Sequence, residues 1–310
     1  MSPAGKGGHH GSMLAGMTCI AIALTASADA IERARNWLVS AQEASGRFAT
    51  NRFGATFDRG ITGLSALALI ESKQPTHRDA AKRALTWLAK HPKLKEAHAH
   101  AFATWALCVG AKAWPDDFRA AADAALRTIV DGQNASGGWG YACRPADVRS
   151  ETCLAGLMVA ALGAARRAGS RVPNACLKNA SRLIESRYKA SLQVVNAGDE
   201  PSPSYAATAL AATLGGQLAG CSKWLRRQPI REEGQRPEPF AGYLRGRFRF
   251  ERFAHARAVA LAEDDAYAAR WAKRMGKLLV GQQKADDSWD GWYGPAYGTA
   301  LALLTLQPPR

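Results

Sequence analysis

Acidic side chains, strand-like alternation and paired cysteines are all scarce in this 310-residue chain. Asp and Glu number 26 against 41 Lys and Arg, giving a net charge of +15 at neutral pH. None of the six cysteines stands in a Cys-x-x-Cys spacing, which argues against a structural zinc site built on that pair. The period-two alternation of a half-buried strand is confined to Arg245–Phe250, so a sheet protein is not expected. No apolar run comfortably reaches the ~20 residues of a permanent bilayer span. No Ser-His-Asp order and no Gly-rich phosphate loop is recognisable, which removes two common catalytic frameworks.

What the chain does have is alanine-rich apolar sequence, 47% hydrophobic overall, a composition suited to close-packed helices. Near the start, Lys6 and two histidines precede "MLAGMTCIAIALTA", followed by "SADA". A basic start, an apolar run and a small-x-small ending read as a secretory leader with a cut after Ala30. That reading expects an exported protein of the periplasm or cell envelope. The alternative is one long amphipathic helix over residues 13–42. Removing residues 1–30 takes away Lys6 and Asp29 and leaves the net charge at +15. Of the remaining cysteines, Cys143 and Cys153 bracket one loop and could bridge in an oxidising compartment, or stay as small buried apolar residues.

Much of the positive excess falls between Cys221 and Arg257, where Lys223 and nine arginines face Glu232, Glu233, Glu238 and Glu251. Such a stretch attracts anionic surfaces, or is a solvated face with no dedicated partner. Nucleic acid is not the expected partner of an exported chain.

One phrase recurs. "GQNASGGWGY" places Gly137 four and Trp139 six residues after Gln133. "GQQKADDSW" places Asp287 and Trp289 at the same distances from Gln283, and "QEASGRF" places Gly46 and Phe48 likewise after Gln42. Each copy follows an amphipathic segment such as "AIERARNWLVSAQ" or "RWAKRMGKLLVGQ" and precedes a small-residue, nearly uncharged one such as "YGTALALLTLQ". A helix apolar around most of its circumference is buried on most sides. Further buried segments begin near His98, Ser204 and Phe253. Amphipathic partners precede them near Arg78–Lys90, Pro173–Arg187 and Ser222–Arg227.

The spacing predicts a helical-pair repeat of six amphipathic and six buried helices. An open solenoid needs polar capping repeats. Here the last buried segment is as apolar as the middle ones, so the ring is expected to close. The expected fold is all-α, an (α/α)6 toroid with six outer and six inner helices in a single domain over residues 31–310. The recurring phrase reads as its clasp: Gln ends the outer helix and bonds a neighbour's backbone, Gly makes the turn, and the aromatic fills the gap between hairpins.

The Gln-x-x-x-Gly-x-Trp phrase resembles the QW repeat of the prenyltransferase/squalene-oxidase-repeat superfamily, whose members include squalene cyclases and protein prenyltransferase β subunits. "DGQNASGGWGY", "ETCLAGLMVAAL" and "YGTALALLTLQ" look like short bacterial single-toroid members. The resemblance implies an α/α toroid with a central cavity, but not an activity. The cyclases' Asp-x-Asp-Asp-Thr-Ala motif has its nearest match in "VRSETC", where Glu151 and Thr152 fit while Val148 and Ser150 replace the earlier acids. Alkene protonation needs a shielded, supported carboxylic acid, and Ser150 cannot supply that support. The prenyltransferases' zinc-binding Asp-x-Cys pair is matched in shape by Glu151-Thr152-Cys153, yet no His follows one repeat later.

Polar residues near the starts of the buried segments are the candidate ligand-binding positions: Asp58, Arg59, His98, His100, Arg149, Glu151, Tyr205, Tyr243, His255 and Tyr297. Each alone could instead cap a helix, a duty that suits Asp58 and Ser204. His98 and His100, two apart, point to different sides of one helix and do not share a metal. The expected function is binding of a ligand or partner, an apolar or isoprenoid-like small molecule being one candidate, without cyclase or prenyltransferase catalysis. No cofactor or metal is expected. The alternative is an enzyme, a transferase or cyclase or a lyase or hydrolase, using Glu151 with neighbouring histidines.

Overall fold

The computed structural model describes residues 28–50, 54–93, 96–196, 252–254, 256 and 265–307. Ser204, Tyr205, Ser222–Arg227, Tyr243, Arg245–Phe250 and His255 lie outside the described residues, as does nearly all of the basic stretch between Lys223 and Arg257.

Outer and inner helices alternate, with the two kinds distinguished by how much of their circumference is apolar. Helix α1, residues 28–41, buries Ala30, Ile31, Ala34 and Leu38 along one side, together with Arg35, whose guanidinium donates to the Ala68 carbonyl and to Gln307. The outer helices α3 (Pro75–Lys90) and α5 (Pro115–Asp131) open on proline, whose fixed φ and missing N–H suit a first turn. Each buries a single stripe: Ala80, Ala81, Ala84, Leu85 and Leu88 in α3, and Phe118, Ala122, Ala125, Leu126 and Ile129 in α5. The outer helix expected over Pro173–Arg187 runs longer, as α7 (Asn174–Asn196), because the following sequence carries no Gly or Pro to stop it. The last outer helix is α8 (Asp265–Gly281).

Inner helices are α2 (Asp58–Ile70), α4 (Ala97–Ala113), α6 (Thr152–Arg167) and α9 (Pro295–Leu306). All of α2 is buried, polar residues included. Small residues let these helices cross closely: a Cβ on Gly63 of α2 would sit 2.8 Å from the Phe102 carbonyl oxygen of α4. Helix α2 packs between α4 and α9, and α4 packs on α6. Outer helices back them in the pairs α2–α3, α4–α5, α6–α7 and α8–α9. Phe253, buried and helical as the sequence predicts, brings its ring to 5.7 Å from Trp105 of α4. The contact of α9 with α2 closes the ring, so the fold is an α/α toroid.

The clasp has one geometry in all three copies. The amide nitrogen of Gln42 donates to the carbonyls of Gly46 in its own turn and Ala80 on α3, at 3.0 and 2.9 Å. Gln133 donates to Gly137 and to Cys176 on α7, both at 2.9 Å. Gln283 donates to Asp287 at 3.0 Å and, at 3.1 Å, to Ala30 on α1. The last clasp therefore grips the first helix. Trp139 and Trp289 are fully buried, and their indole N–H groups donate to Ile129 and Leu279 at 2.7 and 2.8 Å. Phe48 has no such donor, but its backbone N–H bonds Thr62 Oγ1, as Trp289's bonds Thr299 Oγ1, both at 3.0 Å.

The turn residue takes positive φ in each copy: 92° at Gly46, 86° at Gly137 and 67° at Asp287. At Gly137 a Cβ would also lie 2.7 Å from the carbonyl oxygen of Asn179 on α7. Gly137→Ala combines a left-handed penalty of about 1–2 kcal/mol with that backbone clash. Urea unfolding is expected to show a loss of about 2 kcal/mol or more; an unchanged midpoint would refute the close approach. Asp287 takes the same region, which short polar side chains tolerate better than most, and its carboxylate pairs with Arg33 of α1 at 2.7 Å. Cys143 and Cys153 are separate thiols, with Cys143 pointing its sulfur at the Thr128 carbonyl.

Candidate functional site

The starts of α4 and α6 are each capped by a glutamate. Glu96 Oε2 accepts the Ala99 N–H at 2.7 Å, and Glu151 Oε2 accepts the Leu154 N–H at 2.6 Å. His98, in the first turn of α4, lies between them. Its Nδ1 is 2.7 Å from Glu96 Oε1 and its Nε2 is 3.9 Å from Glu151 Oε2. Since a carboxylate oxygen accepts, Nδ1 carries the hydrogen of the bond to Glu96, while Nε2 faces Glu151. Burial pushes the Glu96 carboxyl up. The His98 hydrogen bond and charge, with the backbone N–H groups of Ala99 and His98, outweigh it and hold the group below its ordinary range.

This constellation is reachable from solvent. The side chains of His98 and Glu151 keep 23% and 28% of their exposure. Tyr141, largely exposed, sets its ring 5.6 Å from His98, and its carbonyl accepts the Ala97 N–H at 3.2 Å, tying the second clasp to the start of α4. An imidazole oriented by one carboxylate and facing a second can pass a proton or receive a hydroxyl or amine of a ligand.

The other candidates go elsewhere. Asp58 is buried and accepts from the Thr50 N–H at 2.9 Å and Arg47 at 3.2 Å. It makes no side-chain cap to its own helix, contrary to the duty expected of it; its oxygens fasten the preceding loop instead. Arg59, also buried, donates to the Leu88 carbonyl at 3.2 Å, and burial lowers its guanidinium to about 10. His100 points away from His98, as the two-residue offset requires, and its Nε2 donates to the Ala125 carbonyl at 3.1 Å. Burial lowers His100 to about 4, with the Arg59 charge adding to the effect. Arg149 is exposed.

Tyr297 is buried in an aromatic group. Its ring lies edge-on at 5.1 Å from Tyr293 and 6.1 Å from Phe57, which itself stacks on Tyr293 at 3.9 Å. Burial pushes the Tyr297 hydroxyl well above its usual range. Glu96 was not foreseen from the sequence, because glutamate is outside the residue types preferred as N-caps.

At the stretch that resembles the cyclase motif, the geometry is that of a cap. Glu151 is committed to a first-turn N–H, where the helix dipole favours the anion. Ser150 Oγ is held in a network with Asn134 and Ser136 at 2.6–3.2 Å. A carboxyl group so placed is a poor source of a proton for an alkene.

No family model matches this chain, and no curated protein does. Solved structures do match, at identities that bear on fold alone. A protein from Actinoplanes is 14% identical with a TM-score of 0.59, over 91% of this chain and 98% of that one. A point variant of the type II terpene cyclase MstE from Scytonema, in complex with its substrate geranylgeranyl dihydroxybenzoate, is 15% identical with a TM-score of 0.59, over 92% and 97%. An inactive variant of an α-1,6-mannanase from Salegentibacter, in complex with α-1,6-mannotetrose, is 10% identical with a TM-score of 0.62, over 90% and 97%. A cyclase and a glycan-cleaving enzyme thus share one architecture with this chain, which is an α/α toroid.

Proposed function

We propose that this chain is a ligand-binding toroid of the prenyltransferase/squalene-oxidase-repeat type, exported to the periplasm or cell envelope, that takes an apolar or isoprenoid-like small molecule among its inner helices. The polar end of that molecule meets His98 and Glu151, and neither cyclase nor prenyltransferase chemistry takes place. The repeat-type reading rests on the three clasps, and export rests on the leader-like residues 13–30. The observation that carries the non-catalytic reading is the commitment of Glu151 as an N-cap, with Ser150 where a supporting acid is needed. The cyclase that shares the fold has an isoprenoid substrate, which is consistent with the ligand class.

Mass spectrometry of organic extracts from purified full-length protein is expected to show an enriched lipid or isoprenoid; an empty extract counts against an apolar ligand. A second reading is favoured by the 3.9 Å approach of His98 Nε2 to Glu151: proton-transfer catalysis by that pair. Glu151→Gln separates the two. Under the binding reading the apolar body of the ligand is still held, its polar-end contact is weakened, and the weakened cap costs about 1 kcal/mol of stability. Under the catalytic reading it abolishes turnover in a folded protein.

A further inference from the structure

Among the described residues, large apolar side chains are exposed at two positions, Tyr141 at 64% and Val148 at 93%. Both belong to the loop that enters α6. Isolated apolar residues are ordinary on a surface, but these two are held together. A Cβ on Gly140 would lie 2.7 Å from the Asp147 carboxylate, so the chain neighbours of that contact, Tyr141 and Val148, emerge from adjoining points. The loop between them is braced. The Asp147 N–H donates to the Arg144 carbonyl at 3.0 Å, Asn134 Nδ2 donates to the Asp147 carbonyl at 2.9 Å, and Cys143 is buried beneath. Val148 is thus fixed in water rather than free to fold inward, an exposure that a partner surface relieves.

The exposed charge around this pair has one sign. Arg144 and Arg149 are exposed on the same loop. The Ala97 N–H donates to the Tyr141 carbonyl at 3.2 Å, which sets the α3–α4 connection alongside and adds the exposed Lys90 and Lys93. The acids of these two connections are turned to internal work. Asp147 Oδ2 accepts the Arg144 N–H at 3.2 Å, and Glu96 and Glu151 cap their helices. The connection before α9 instead exposes Asp286 and Asp290 beside Lys284, so the positive excess is local to the starts of α4 and α6. An apolar tip ringed by cations matches the headgroup layer of an anionic bilayer. There apolar side chains enter the acyl boundary while Lys and Arg meet lipid phosphates. An acidic polymer would engage the four cations but would leave Val148 in water.

We infer that the loop of Tyr141 and Val148, with Arg144, Arg149, Lys90 and Lys93 around it, docks this protein on the surface of an anionic phospholipid bilayer. The docking surface borders His98, whose ring lies 5.6 Å from that of Tyr141, so an apolar ligand carried by the bilayer arrives beside the site of the binding reading. The surface itself stands without that reading. In the test, full-length protein is sedimented with vesicles of phosphatidylglycerol and phosphatidylcholine in equal parts, and with vesicles of phosphatidylcholine alone. Binding is expected to the first, about tenfold or more weaker to the second, and declining as salt rises. Val148→Asp, at a position too exposed to affect folding, should weaken binding by about tenfold or more, and Val148→Trp should tighten it. Arg144→Gln combined with Arg149→Gln should weaken it by about tenfold, less so at high salt.

Binding that falls with the arginines but is unchanged in Val148→Asp would identify an acidic polymer as the partner and overturn the bilayer. Equal binding to phosphatidylcholine alone, no vesicle binding, or vesicle binding that none of these variants alters would overturn it too. Vesicle binding with an empty organic extract would sink the apolar-ligand reading alone, and a lipid-rich extract with no vesicle binding would sink this one alone.

Discussion

Trp139→Ala should cost about 3–5 kcal/mol, the range for deleting a fully buried aromatic from a core that relaxes only in part. Trp139 has no exposed surface and packs where the second clasp joins α5 to the start of α6. The substitution also strips the Ile129 carbonyl of the indole donor it receives at 2.7 Å. For a domain of this size the melting temperature should fall by about 10 °C. Trp139→Phe isolates the hydrogen bond, keeping most of the apolar volume at a loss of about 1 kcal/mol. Phe48 already shows that the position accepts a ring without a donor. Trp289, bonded to Leu279 in the same way, should behave as Trp139 does. A Trp139→Ala protein within 1 kcal/mol of the parent would mean that the aromatic is not a clasp.

Stability should fall as pH drops from 6.5 toward 4, the window in which His100 becomes costly to keep neutral. His100 is held neutral in the folded chain and titrates near 4, against an ordinary 6.5. Its folded value is depressed, so the unfolded chain binds more protons between those two pH values, and stability falls as pH falls through that window. That difference corresponds to about 3 kcal/mol lost by pH 4. His77 acts in the same direction, lowered by burial between Asn36 and Ser72, with Arg35 opposing protonation and Glu32 favouring it. Urea midpoints measured from pH 7 to pH 4 should therefore drop steeply, and His100→Gln should flatten much of the slope. A slope identical in the variant would mean that His100 is not the group responsible.

How much of this was readable in advance differs from residue to residue. The clasps were legible because Gln, turn residue and aromatic recur at fixed spacing, and because small, uncharged inner segments have to be buried. The partners of the glutamines were not. Ala80, Cys176 and Ala30 are gripped through their carbonyls, which every residue owns, so their side chains carry no signal. The opposed directions of His98 and His100 followed from helical geometry. Their fates did not, since whether a histidine meets a neighbour's carboxylate or a helix backbone depends on packing between repeats. The cap assignment failed at Asp58 for the same reason. Its carboxylate found a stronger partner in Arg47 and a loop N–H, while two glutamates took the capping role elsewhere.

The grip of Gln283 on Ala30 bears on maturation. A peptidase cutting after Ala30 would remove that carbonyl and leave the ammonium of Ile31 facing the Gln283 amide, two donors with nothing between them. Scission two residues earlier, after Ala28 in the small-x-small run Ala26-Ser27-Ala28, would preserve the latch, with the Asp29 carboxylate offsetting the new terminal ammonium at the positive end of the helix.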